Sequence, residues 1–105
     1  MDISGIFNID KPAGWTSFQV VSLMRRLSGV RRVGHAGTLD PSATGVLVVC
    51  LGQATRLVEY MMEATKAYRA EVYLGIATDT LDATGTPISQ ADPSRISRQQ
   101  VEEAL

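Results

Sequence analysis

The sequence has a single cysteine, Cys50, and a single histidine, His35. The first excludes an internal disulfide and a thiolate metal cluster, and the second excludes a multi-histidine metal centre, so no metal is expected. The longest unbroken apolar run, Val46 to Leu51, is six residues. A helix that crosses a bilayer needs roughly 20, so no membrane partner is expected. No basic stretch followed by a long apolar one opens the chain, and with no visible secretory signal the expected compartment is the cytoplasm. Phosphate-binding and nucleophile-elbow signatures are also missing: there is no Gly-x-x-x-x-Gly-Lys-Ser/Thr, no Gly-x-Gly-x-x-Gly and no Gly-x-Ser-x-Gly. Acidic residues are lacking in one place. From Lys11 to Leu39 there is no Asp or Glu, while Lys11, Arg25, Arg26, Arg31 and Arg32 all fall there. The formal net charge of −1 hides this asymmetry. A cationic segment of this kind is either a solvated helix face or a surface that contacts phosphates.

With 105 residues, 45% of them hydrophobic and 20% charged, the chain has the composition of a folded domain, and its length sets one domain as the ceiling. Residues 5–10 read as a short strand ahead of a Lys-Pro-Ala-Gly turn signal. Thr16 and Gln19 have capping-box spacing, and Val20, Leu23, Met24 and Leu27 recur at helical period until Gly29. Residues 30–45 read as a loop rich in Gly, Thr, Ser and Asp. The run 46–51 reads as a strand covered on both faces. Thr55 is placed to cap a helix whose inward positions are Leu57, Tyr60 and Met61. The period then changes to two, and Tyr68, Ala70, Val72 and Leu74 describe a half-buried strand that starts near Lys66. Residues 75–87 are turn-rich. Ser97 and Gln100 form a second capping box, opening a helix that runs to Leu105.

Chemistry concentrates in residues 33–45, VGHAGTLDPSATG. Glycines permit tight turns there, and Pro41 fixes the chain just after Asp40. A carboxylate set beside arginines is held in its charged form, able to act as nucleophile or base. The plainer reading is that Asp40 closes an Asx turn ahead of Pro41. Ser42 or Ser17 with His35 and Asp40 would supply the residue types of a triad, and the Asp79-to-Asp82 loop would suit a hard cation, but neither sits in a supporting motif.

Five blocks together resemble a known family, the TruB-type tRNA pseudouridine synthases of the bacterial branch. They are GIFNIDKPAGWTS at 5–17, GHAGTLDPSATG at 34–45, GQAT at 52–55, KAYR at 66–69 and GIATDTLDATG at 75–85, in the family's order and spacing. The resemblance implies an isomerase that needs no cofactor and converts uridine to pseudouridine in the T-arm of tRNA. Asp40 matches the catalytic aspartate, His35 the histidine that enters the T-loop, and Tyr68 the tyrosine that stacks on the target base. Lys11 and the arginines after it are candidate phosphate contacts, with Lys11 and Pro12 equally candidates for supporting the Asp40 loop. The resemblance further implies a mixed α/β (α+β) fold with a largely antiparallel sheet and helices packed on one face. It makes residues 1–105 the N-terminal part of a catalytic domain, with a C-terminal half to be supplied by the same protein. The chain alone is then expected to be inert. Two other classes remain open: a non-catalytic RNA-binding remnant, and an Mg²⁺-dependent phosphotransferase acting through Asp40 or Asp79.

Overall fold

A computed structural model describes residues 3–105. The chain clusters into two compact units, one extending to Lys66 and the other spanning Ala67–Leu105.

In the first unit, strands β1 (Gly5–Lys11), β2 (Val33–His35) and β3 (Gly45–Leu51) form an antiparallel sheet in the order β1-β3-β2. Helix α1 (Ser17–Ser28) starts at the expected capping box, with Gln19 N–H donating to Thr16 Oγ1 and Thr16 N–H donating to the Gln19 side chain. It ends at Gly29, whose φ of 71° is the left-handed conformation that glycine adopts most readily at a helix end. Period two puts Leu47, Val49 and Leu51 on one face of β3. There they form the core with Val20, Val21 and Val33, and Ile9, Met24, Val30 and Leu39 pack around them.

The buried stripe of α1 is turned from the expected one. Ser17, Val20 and Val21 are buried, whereas Leu23 is only half-buried and Leu27 is 72% exposed. The cause is a polar anchor. Ser17 Oγ donates to the carbonyl of Leu39 at 3.2 Å and accepts from the N–H of Leu39 at 3.0 Å, which turns the Ser17 side of the helix inward.

The segment 30–45, expected to be all loop, contains β2. The expected helix after Thr55 is shorter and later: Gly52–Leu57 is a 3₁₀ helix, and only Val58–Met62 (α2) is α-helical. Thr55 is no cap, because its hydroxyl donates back to the carbonyl of Gly52. Of the three inward positions expected, only Met61 is partly buried, while Leu57 and Tyr60 are exposed. Met61 meets Cys50, the sulfurs 3.9 Å apart, and Cys50 points opposite to Val49 and Leu51. Helix α2 therefore lies on the face of the sheet that α1 leaves free.

In the second unit, β4 (Ile76–Thr78) pairs antiparallel with β5 (Pro87–Gln90), and α3 (Arg98–Ala104) follows the Ser97–Gln100 capping box. The strand expected over 68–74 does not form. Its alternation is real, but backbone N–H and C=O groups need a neighbouring strand, and among the described residues none pairs with this segment. Val72 and Tyr73 are each 76% exposed in consequence. Among the described residues no helix is long and apolar enough to cross a membrane.

Candidate functional site

The loop from Ala36 to Thr44 leaves β2, runs past the start of α1 and enters β3. Three anchors hold it. Ala36 N–H donates to the Val48 carbonyl at 2.9 Å, Leu39 is held on both backbone groups by Ser17, and the Pro41 carbonyl accepts from Gly14 N–H at 2.7 Å. Asp40 lies between the second and third anchors. Its own carbonyl accepts from Ala43 N–H at 2.9 Å, so Asp40-Pro41-Ser42-Ala43 is a β-turn closed through the backbone with proline at its second position.

This turn is not the Asx turn that the plainer reading of the Asp-Pro pair expects. An Asx turn would engage the carboxylate, yet here the closing acceptor is the main-chain oxygen. Among the described residues nothing hydrogen-bonds to the Asp40 carboxylate, and the side chain is exposed. The backbone is fixed and the carboxylate is exposed.

The expected cationic neighbours of Asp40 are not beside it. Among the described residues the only ion pair is Arg98–Glu102. The arginines gather at the other end of α1. Arg25 lies about 12 Å along the helix axis from Ser17, and its guanidinium donates to the carbonyls of Arg31 and Val33, closing the turn from α1 into β2. The cation that reaches the loop is Lys66, which packs over Gly37. A Cβ built on Gly37 would lie 3.0 Å from Lys66 Nζ, a mobile side-chain end that could give way, but φ there is +113°, and it is this backbone conformation that favours glycine.

Lys11 is fully buried, and its Nζ donates to the carbonyls of Pro12 (3.0 Å), Trp15 (2.6 Å) and Pro41 (3.2 Å). All three N–H bonds of the ammonium have protein acceptors, which leaves none to offer a phosphate. Of the two roles open to Lys11, the geometry provides the supporting one: it ties the end of β1, the approach to α1 and the Asp40 turn together.

His35 ends β2 opposite Val49 and is partly buried, with Nδ1 enclosed and without a hydrogen-bond partner. Tyr68 belongs to the second unit, in irregular backbone, and is 71% exposed. Asp79 and Asp82 shape the turn between β4 and β5 through their own neighbours. Asp82 Oδ1 accepts from Thr84 Oγ1 (2.6 Å), Thr80 Oγ1 (2.8 Å) and Thr84 N–H (2.9 Å), bonds that hold its carboxyl below the usual range, and Asp79 Oδ1 accepts from Thr86 N–H. Sequence reasoning missed Ser17 and Lys66 as partners of the loop. Both lie inside the blocks 5–17 and 66–69, but contacts from Ser17 to Leu39 and from Lys66 to Gly37 span more than twenty residues and leave no local pattern.

Comparison with known proteins bears on this site. Residues 25–105 match the model of the TruB family pseudouridylate synthase, N-terminal domain. A tRNA pseudouridine synthase B of Syntrophotalea carbinolica is 54% identical over 99 residues, covering 94% of this chain and 32% of that protein. One from Symbiobacterium thermophilum is 50% identical over 104 residues, covering 99% of this chain and 35% of that protein. The chain thus spans about a third of the length of the curated relatives it matches. Among solved structures, an H/ACA ribonucleoprotein bound to a substrate RNA containing 2′-deoxyuridine superposes with a TM-score of 0.52 at 46% identity, over 53% of this chain and 18% of that one. The archaeal box H/ACA Nop10–Cbf5 complex gives 0.51 at 49% identity, over 52% of this chain and 18% of that one.

Proposed function

The chain belongs to the TruB family of pseudouridylate synthases, and from that premise we propose that it is the N-terminal part of a tRNA pseudouridine synthase acting at position 55 of the T-loop, with Asp40 as its catalytic carboxylate. The observation that carries this reading is the free, exposed carboxylate on a backbone pinned to either side. In the reaction the bond from uracil N1 to ribose C1′ breaks, the base turns, and C5 joins C1′. C5 loses its proton and N1 gains one, so product and substrate are isomers. Asp40 serves by attack at C1′, by addition to C6 or by assisting a glycal, each of which needs a carboxylate held beside an extruded nucleotide.

Extrusion costs on the order of a few kcal/mol of lost stacking and pairing. In this reading Tyr68 replaces the stacking, a contact worth about 1–3 kcal/mol, and His35 occupies space in the T-loop. No cofactor takes part. The remaining pocket groups come from the rest of the protein, so residues 1–105 alone bind tRNA weakly and turn over negligibly.

The test is pseudouridine formation on T-arm RNA by the intact protein and its Asp40→Asn variant. The exchange keeps the side chain's shape and leaves the backbone-closed turn unaltered. The expected result is a loss of several orders of magnitude in rate with the fold retained. Equal rates would remove Asp40 from the chemistry.

A further inference from the structure

Helix α1 has a second organised side. Beginning one residue before the N-cap, Trp15, Phe18, Ser22 and Arg26 form one row at spacings of three and four, with Gln19 and Leu23 four apart beside it, so all six share one broad face. Together with Gly14 they line an open groove of about 520 Å³. Its two aromatic members are solvent-facing: Trp15 is 39% and Phe18 67% exposed. The groove also abuts the Asp40 loop, because Gly14 N–H and Lys11 Nζ both bind the Pro41 carbonyl while the same ammonium holds the carbonyl of Trp15. Aromatic rings at one end, an arginine at the other and no acidic residue anywhere on the helix give it the chemistry that takes single-stranded nucleic acid. Rings stack on any base, and a guanidinium answers a phosphate.

We propose that this groove binds the unpaired RNA adjoining the reacting uridine, with one base stacked on Trp15 and Phe18 and a phosphate at Arg26. The inference rests on the function proposed above and extends it. The RNA is held beside the Asp40 loop by a surface separate from Asp40, His35 and Tyr68, and that surface anchors the strand while the target base leaves its stack. A flexible loop nucleotide fits this surface and a paired one does not, since only an unstacked base exposes its face.

The test uses the intact protein and two labelled probes, a T-arm stem-loop and an oligouridylate, with dissociation constants measured across a salt series. Phe18→Ala is expected to weaken binding of both by about tenfold or more, with the thermal midpoint unchanged, and Phe18→Tyr to restore it. Arg26→Ala is expected to lower the slope of log affinity against log salt by about one. Unchanged affinity in Phe18→Ala overturns the proposal. So does a weakening accompanied by a fall in the thermal midpoint, which would mean that the rest of the protein covers the groove. Pseudouridine formation separates this inference from the reading beneath it. Groove-dependent RNA binding without product leaves the groove standing and removes the activity, whereas product formation with rate and KM untouched by Phe18→Ala does the reverse.

Discussion

Replacing Lys11 by methionine removes the ammonium while keeping most of the side chain's length. Three carbonyls lose a charged donor, of which Pro41 retains the Gly14 N–H. Among the described residues no other backbone donor reaches the Pro12 and Trp15 carbonyls. Pro12 and Trp15 are exposed residues, so water replaces part of what the ammonium donated, and the two bonds together are worth roughly 2–4 kcal/mol. Relief from burying an ammonium offsets part of this, since desolvating such an ion is itself worth several kcal/mol. The expected net loss is about 2–3 kcal/mol, or a fall in Tm of about 5–10 °C for the intact protein. Lys11→Arg is expected to be no better, because a planar fork cannot direct its donors at three carbonyls converging on one point. The same variants decide whether Lys11 touches RNA. A phosphate ligand would reduce the salt slope of T-arm binding by about one on removal, and the slope is expected not to move. An unchanged Tm together with a shallower slope would refute the supporting role and restore the phosphate contact.

Ser17→Ala removes both hydrogen bonds to the Leu39 backbone and is expected to cost about 1–3 kcal/mol; single-turnover kinetics should show a slower chemical step with RNA affinity retained, because the loop beside Asp40 loosens while the α1 groove does not. Asp82 owes its lowered pKa first to the Thr84 hydroxyl, then to the Thr80 hydroxyl and the Thr84 amide. These bonds favour the charged form, so their contribution to the β4–β5 turn is complete above the ordinary carboxylate range and is lost as pH falls through the folded-state value. Thr84→Ala is expected to move the Asp82 titration upward in an NMR pH series, and an unmoved midpoint would contradict the assignment. Burial pushes the Cys50 thiol up, so thiol reagents at pH 8 are expected to label it only under denaturing conditions, and rapid labelling of folded protein would contradict its placement beneath α2.

The features legible in the sequence are those settled within a few residues. Thr16 with Gln19 and Ser97 with Gln100 are reciprocal pairs three apart, and both helices start there. The apolar run 46–51 lies in strand β3 as expected, with Leu47, Val49, Cys50 and Leu51 buried, but its cover is incomplete, since Val48 is half-buried and Val46 is 66% exposed. The rotation of α1 was not legible, because Val20, Val21, Leu23, Met24 and Leu27 supply apolar side chains to more than one column of the helix. Which column faces the sheet depends on a serine hydroxyl meeting a backbone 22 residues away. Likewise, the alternation from Tyr68 to Leu74 specifies which side chains share a face and says nothing about which strand lies alongside.

Asp40 shows the same boundary at the scale of a single residue. An Asp-Pro pair in a glycine-rich loop announces a turn, and a turn can be closed by either of two acceptors on that aspartate, the side-chain carboxylate or the main-chain carbonyl. The residue types are the same in both cases, and the consequences are opposite: closure through the side chain engages the carboxylate, whereas closure through the carbonyl leaves it exposed. The choice is made by what holds the flanking residues. Ser17 fixes Leu39, and Lys11 with Gly14 fixes Pro41, so the backbone of Asp40 is already positioned for the bond from Ala43 before the carboxylate is needed. Those three residues lie in the block 5–17, far from the aspartate in sequence, which is why a motif of two separated blocks carries information that the Asp-Pro pair alone does not.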